Sequence, residues 1–184
     1  MNLKMPIVFD NDCLCSFSWI NRLDILDNLF SNNIVIPMIV YNEIRRMLNY
    51  KAYKFVFQNI EQKVNTQQYQ IKEIPLFSPI AEEYEKLTDI SKQNSIGKGE
   101  ASAIVLAKYL NGTLASNNLR DVLPNIKPDH PPLITTEIIL YMSYQQNYIN
   151  AVQGQNILSK MKATKRKLST FDFQEVIRKY QGRL

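Results

Sequence analysis

The sequence predicts an α/β fold with a mostly parallel central sheet between two helical layers. Two observations carry this. Short apolar runs of strand length alternate with longer stretches of helical periodicity. The runs at 5–9, 34–36 and 113–115 end abruptly in polar residues, as buried strands do at a sheet edge. The order strand, helix, strand, helices, strand, helix, strand, helix follows from taking the chain in sequence.

Met5-Pro6-Ile7-Val8-Phe9 reads as the first strand and runs into Asp10-Asn11-Asp12. In open α/β sheets the functional crevice lies at such strand ends. Trp19, Leu23, Leu26 and Phe30 recur at helical spacing and predict one face of a helix, ended by Ser31-Asn32-Asn33. Ile34-Val35-Ile36 is a second strand, stopped by Pro37. Val40, Ile44 and Met47 then mark the next helix, with Glu43 in its early turns. Residues 51–70 read as a helix around Phe55, Val56 and Ile60 that fades into a Gln/Asn-rich loop, and Ile71 to Leu76 as a short strand or an extended link. Residues 79–93 are amphipathic, with Ile80, Tyr84, Leu87 and Ile90 inward and Glu82, Glu83, Glu85 and Lys86 on a solvated face.

The most informative stretch is 96–121. Gly97 and Gly99 flank Lys98 and precede Glu100, which opens a helix whose next residues, Ala101, Ala103, Ile104, Val105, Leu106 and Ala107, are apolar on nearly every side. Glu100 is either a first-turn carboxylate favoured by the helix dipole or a side chain at the rim of the core facing a cleft. Thr113-Leu114-Ala115 is a third strand, and Ser116 to Asp121 is its polar exit. Leu133-Ile134 is a further strand, and Thr135 and Thr136 can cap the helix that follows. Residues 148–184 predict one or two helices beyond this core, so the chain divides into a domain at 1–147 and a basic helical extension at 148–184.

Composition narrows the chemistry. At 184 residues and 45% hydrophobic content the chain can bury one good-sized core. No apolar run is long enough for a membrane span and the start lacks a secretory-signal pattern, which predicts a soluble cytoplasmic protein. Cys13 and Cys15 are too close for C-x-x-C spacing and read as reduced, packed thiols. His130, the only histidine, sits among Pro128, Pro131 and Pro132 in what reads as a surface loop, a poor place for a positioned base. The net charge of +5 is uneven: residues 159–184 hold eight basic against two acidic residues, on a near-neutral body. Such a tail fits a polyanion partner, and equally a solvated helix or a disordered end.

Asp10, Glu43, Glu100 and Asp121 each follow a strand-like run or open the helix after one. Strand exits of a parallel sheet share one edge, so these four acids can converge. Clustered carboxylates repel unless a cation sits among them, and hard oxygen ligands favour Mg²⁺ or Mn²⁺.

The ordered set of Asp10 after a strand, Glu43 after I-V-I-P-M-I-V-Y-N, G-K-G-E-A at 97–101 and A-S-N-N-L-R-D at 115–121 resembles a PIN domain. It is similar in particular to the small PIN ribonucleases that are toxins of bacterial toxin–antitoxin pairs, over about residues 5–145. The resemblance implies a three-layer α/β/α nuclease that hydrolyses single-stranded RNA with Mg²⁺ or Mn²⁺. It implies Asp10, Glu43 and Glu100 as metal ligands, Asp121 on a metal-bound water or a second ion, and Asn118 as polar support. It also implies an RNA substrate, a cognate antitoxin protein and a homodimer. Two departures stand out. Asn117-Asn118 occupies a place where many members carry an acid, and Asp12 stands where a small polar residue is usual, as an extra ligand or a helix N-cap.

Two other classes compete. Asp10-x-Asp12 after a strand also suggests a haloacid-dehalogenase-type phosphatase, but Leu14 stands where that motif needs Thr or Val, and its later paired acids are missing. A catalytically silent PIN-like fold, binding RNA or protein, is the alternative that Asn117-Asn118 keeps open. Gly97-Lys98 is not a phosphate-binding loop, because Lys92 stands where that motif needs Gly.

Overall fold

The computed structural model describes residues 3–91, 95–125, 132–166 and 168–183. The readings of the His130 loop and of Lys92 and Lys167 therefore lie outside the described residues. The described chain contains β1 (Ile7–Phe9), α1 (Asn11–Ser18), α2 (Asp24–Phe30), β2 (Ile34–Pro37), α3 (Met38–Arg45), α4 (Lys54–Asn65), β3 (Tyr69–Lys72) and α5 (Pro79–Thr88). After these come α6 (Lys98–Tyr109), β4 (Thr113–Ala115), α7 (Leu119–Val122), β5 (Leu133–Ile134), α8 (Thr136–Gln145), α9 (Ala151–Ala163) and α10 (Phe173–Tyr180). All four strand pairings are parallel, in the order β3-β2-β1-β4-β5.

Side-chain alternation along the strands divides the core into two layers. Ile7, Phe9, Ile34, Ile36 and Ala115 face the larger cluster, which α1, α2, α4, α8, α9 and α10 complete. Val8, Val35 and Leu114 face the smaller cluster, built on α5 and α6. The result is a three-layer α/β/α fold. Every residue of α6 from Ala101 to Ala107 is buried, as its all-round apolar sequence requires.

Three local readings change. The Trp19 to Phe30 periodicity is not one helix: α1 ends at Ser18, Asn21 takes a left-handed conformation (φ 55°), and α2 starts at Asp24. Leu23, Leu26 and Phe30 are buried all the same, because Leu23 packs from the connecting turn. The start of β3 lies inside what reads as a Gln-rich loop. It is an edge strand, pairing Tyr69 to Lys72 with β2, and only Tyr69 is fully buried; an edge position lets polar side chains occupy a strand. Finally, α5 stops at Thr88, so Ile90 is 93% exposed instead of facing inward.

Among the described residues of 148–184 are the helices α9 and α10. Ile157, Leu158, Met161, Phe173 and Val176 enter the larger core cluster, each worth roughly 1.5–3 kcal/mol of burial. Gly154 permits the closest approach, since a Cβ there would lie 2.3 Å from the Phe173 ring. Apolar packing therefore holds the two helices, whatever their basic residues do.

Candidate active-site cleft

The cleft lies at the carboxyl edge of the sheet. The Asp10 amide donates to the Ala115 carbonyl (3.0 Å) and the Ser116 amide to that of Ile134 (2.9 Å), so β1 and β4 release their chains side by side. Asp10 then caps α1: its Oδ1 accepts from the Cys13 amide at 2.7 Å. Asp12 is not the N-cap. It lies in the first turn of α1, with Oδ1 3.5 Å from Arg166 Nη1.

Asp10 is 2% exposed, and its Oδ2 has no hydrogen-bond partner among the described residues. Burial pushes its pKa from 3.8 up to about 7; the Cys13 amide and the nearby Ser116 hydroxyl resist the rise, and the charges of Asp12 and Glu100 add to it.

Glu43 arrives from α3, which begins directly after β2. Asn11 Nδ2 donates to its Oε2 at 3.3 Å, and Asn11 Oδ1 accepts from Cys15 Sγ at 3.2 Å. The Glu43 carboxylate also lies against α6, where a Cβ on Gly99 would come within 2.6 Å of Oε2. Gly99 is therefore what lets α3 and α6 approach at this point.

Glu100 sits in the first turn of α6, half-buried. Its pKa is raised, chiefly by burial and further by the charge of Asp121, against a hydrogen bond from Asn118. Asn118 Nδ2 donates both to Glu100 Oε1 and to Asp121 Oδ2, the latter at 2.8 Å. The amide thus stands between two acids that would otherwise repel. Asn117 faces elsewhere: its Oδ1 accepts from the Thr136 amide at 2.9 Å and its Nδ2 approaches Asp12 and Ser16 at 3.5 Å. The neighbouring asparagines therefore have separate tasks, Asn118 between Glu100 and Asp121 and Asn117 between Asp12 and the start of α8.

Together these groups line a cleft of about 540 Å³ that contains Asp10, Asp12, Glu43, Glu100 and Asp121 with a single base, Arg166. The four sequence-predicted acids are all brought to it. Among the described residues no three His, Cys, Asp or Glu side chains are drawn tightly enough to hold a metal ion as they stand; Asn11 and Asn118 hold Glu43, Glu100 and Asp121 instead. The donor set still fits a hard divalent cation. Asp10 offers a buried oxygen without a partner, and five carboxylates in the lining suit Mg²⁺ or Mn²⁺. Cys13 and Cys15 are free and buried, with pKa values raised chiefly by burial, so neither is an activated nucleophile.

Sequence reasoning missed Asn11 and Arg166 as cleft residues. Asn11 carried a faint signal as the polar residue between two acids at a strand exit. Arg166 carried none, being one cation among eight in the tail.

A parallel sheet with an acid-lined cleft at its carboxyl edge places the candidate site where open α/β folds carry their functional crevice. A family model described as a PIN domain matches residues 6–182, and the chain belongs to that family. PIN domains are in general nucleases, and typically use divalent metals. No curated protein matches the chain. No helix among the described residues is long and apolar enough to cross a membrane.

Proposed function

We propose that this protein is a metal-dependent endoribonuclease that hydrolyses single-stranded RNA. One observation carries the reading furthest: a buried Asp10 carboxylate with an unpartnered oxygen, in a cleft with four more acids. Such an arrangement opposes folding when ionised, and is sensible where a cation is to be received. In this reading Asp10, Glu43 and Glu100 hold Mg²⁺ or Mn²⁺, and Asp121 holds a metal-bound water or a second ion. The bound ion would supply a polarised phosphate and a water acidic enough to attack it. The protein's own part is positioning: the Cys13 amide fixes Asp10, Asn11 orients Glu43, and Asn118 holds Glu100 and Asp121 apart at a set distance. Residues 1–147 would carry all four acids, with 148–184 as the helical extension.

A role as the toxin of a toxin–antitoxin pair, with a cognate antitoxin and a homodimeric state, belongs to the same proposal and is supported by the sequence motifs alone. The test is incubation of the purified protein with total cellular RNA in Mn²⁺, beside an EDTA control and Glu100→Gln. Discrete fragments from the wild type alone are expected. Intact RNA from folded protein free of any bound partner would favour a binding module, consistent with amides at 117 and 118.

A further inference from the structure

We propose that Arg166 is a substrate-binding residue whose guanidinium takes a backbone phosphate of the RNA strand as it enters the acid-lined cleft. The inference rests on the nuclease reading above and assigns one of its contacts to the C-terminal extension. The cleft lining sets the problem: five carboxylates and one base. An RNA strand meets like charge there, and a bound cation offsets it only at the reacting phosphate. A flanking phosphate needs a donor on the rim, and among the described residues lining the cleft Arg166 is the one cation.

Its side chain is already shaped for that task. The guanidinium lies over the Trp19 ring at 5.4 Å, and Nε donates to the Thr164 carbonyl at 3.4 Å, so the group is oriented before any ligand arrives. Its terminal nitrogens form no hydrogen bond among the described residues. Among the described residues they pair with one carboxylate within 4 Å, Asp12, at 3.5 Å with Asp12 42% exposed. A partly exposed pair of this length is weak and easily exchanged, whereas a guanidinium and a phosphate can form two parallel charge-assisted hydrogen bonds.

The chain a few residues after Arg166 is also tied down, at 169–173. Glu137 of α8 is 4% exposed, and its carboxylate accepts from the Ser169 amide (2.6 Å), the Ser169 hydroxyl (2.8 Å) and the Thr170 amide (3.4 Å), with Lys179 3.5 Å away. Gln155 of α9 adds two ties, donating to the Phe171 carbonyl and accepting from the Phe173 amide. A buried carboxylate spent on backbone amides holds Ser169 and Thr170 in place, three and four positions after the arginine.

The experiment compares wild type, Arg166→Met and Arg166→Lys. Met keeps an apolar stem over Trp19 without the charge, and Lys keeps the charge without the planar fork. Binding of a short labelled single-stranded RNA is followed by fluorescence anisotropy in EDTA across a salt series, with thermal melts confirming the fold. Cleavage in Mn²⁺ is followed in parallel. The expected result is binding about tenfold weaker in Arg166→Met, with the slope of log K against log salt shallower by about 0.7, one single-strand phosphate contact. KM should rise with little change in kcat, and Arg166→Lys should fall between. Unchanged affinity and slope in Arg166→Met, from a wild type that cleaves RNA, would overturn the inference alone and leave Arg166 as a partner of Asp12. Tighter binding by Arg166→Met would also overturn it, making the arginine a plug. A wild type that does not cleave RNA at any Mn²⁺ concentration overturns the nuclease reading beneath, and the inference with it.

Discussion

Asp10→Asn should make the metal-free protein more stable, not less. Ionising a buried carboxyl whose pKa is about 7, against 3.8 in an unfolded chain, costs the fold roughly 4 kcal/mol at 1.36 kcal/mol per tenfold change. Because the folded value is the higher one, this penalty is absent below about pH 4, grows as pH rises, and is fully present above about 7. Asparagine removes the cost at alkaline pH and can still accept from the Cys13 amide. Its own N–H₂ group, placed where Oδ2 has no partner, returns about 1–3 kcal/mol of that gain. A net gain of about 2 kcal/mol remains, or about 4–8 °C in Tm for a domain of this size. Thermal denaturation by circular dichroism in EDTA at pH 8 and pH 4.5 measures it directly. The mutant should melt higher at pH 8 and lose its advantage at pH 4.5. A mutant that melts below wild type at pH 8, or that keeps the same advantage at both pH values, would refute the argument from burial.

Further predictions concern the neighbours of Asp10. Gly99→Ala sets a Cβ against Glu43 Oε2; Glu43 must swing away, so Mn²⁺ affinity by calorimetry should fall about tenfold or more while the far-ultraviolet dichroism is unchanged. Asn118→Asp puts a third carboxylate between Glu100 and Asp121 and should lower the metal-free Tm, with Mn²⁺ restoring it in a melt. Glu137→Gln weakens the acceptor of Ser169 and Thr170 and should cost about 1–3 kcal/mol in urea denaturation, along with faster proteolysis next to them.

The two sides of the sheet differ in how far the sequence foretells them. β1, β2 and β4 are buried, so an apolar run broken by a polar residue marks each of them, and β5 at one edge is a pair of apolar residues with Ile134 buried. β3 lies on the edge, where exposure lets Gln70 and Lys72 stand in a strand and erases the pattern. Helical periodicity from Trp19 to Phe30 survives a break at Asn21, because burial of Leu23 and Leu26 does not require a continuous helix. Asp10, Glu43, Glu100 and Asp121 were legible because topology alone brings strand exits to one edge. The contacts that organise them were not. Asn117 meets Asp12 across 105 positions of chain, and Arg166 reaches Asp12 from the far C-terminal segment; no spacing rule links such residues before the fold closes.

The measurement closest to the central claim is the rate of single-stranded RNA cleavage as a function of Mn²⁺ concentration, for wild type and Asp10→Asn side by side. The account predicts saturable, EDTA-sensitive cleavage by wild type and a loss of at least about a hundredfold in the mutant, since removing a metal ligand forfeits several kcal/mol of transition-state stabilisation. Equal rates in the two proteins, or wild-type cleavage that is indifferent to EDTA, would contradict it.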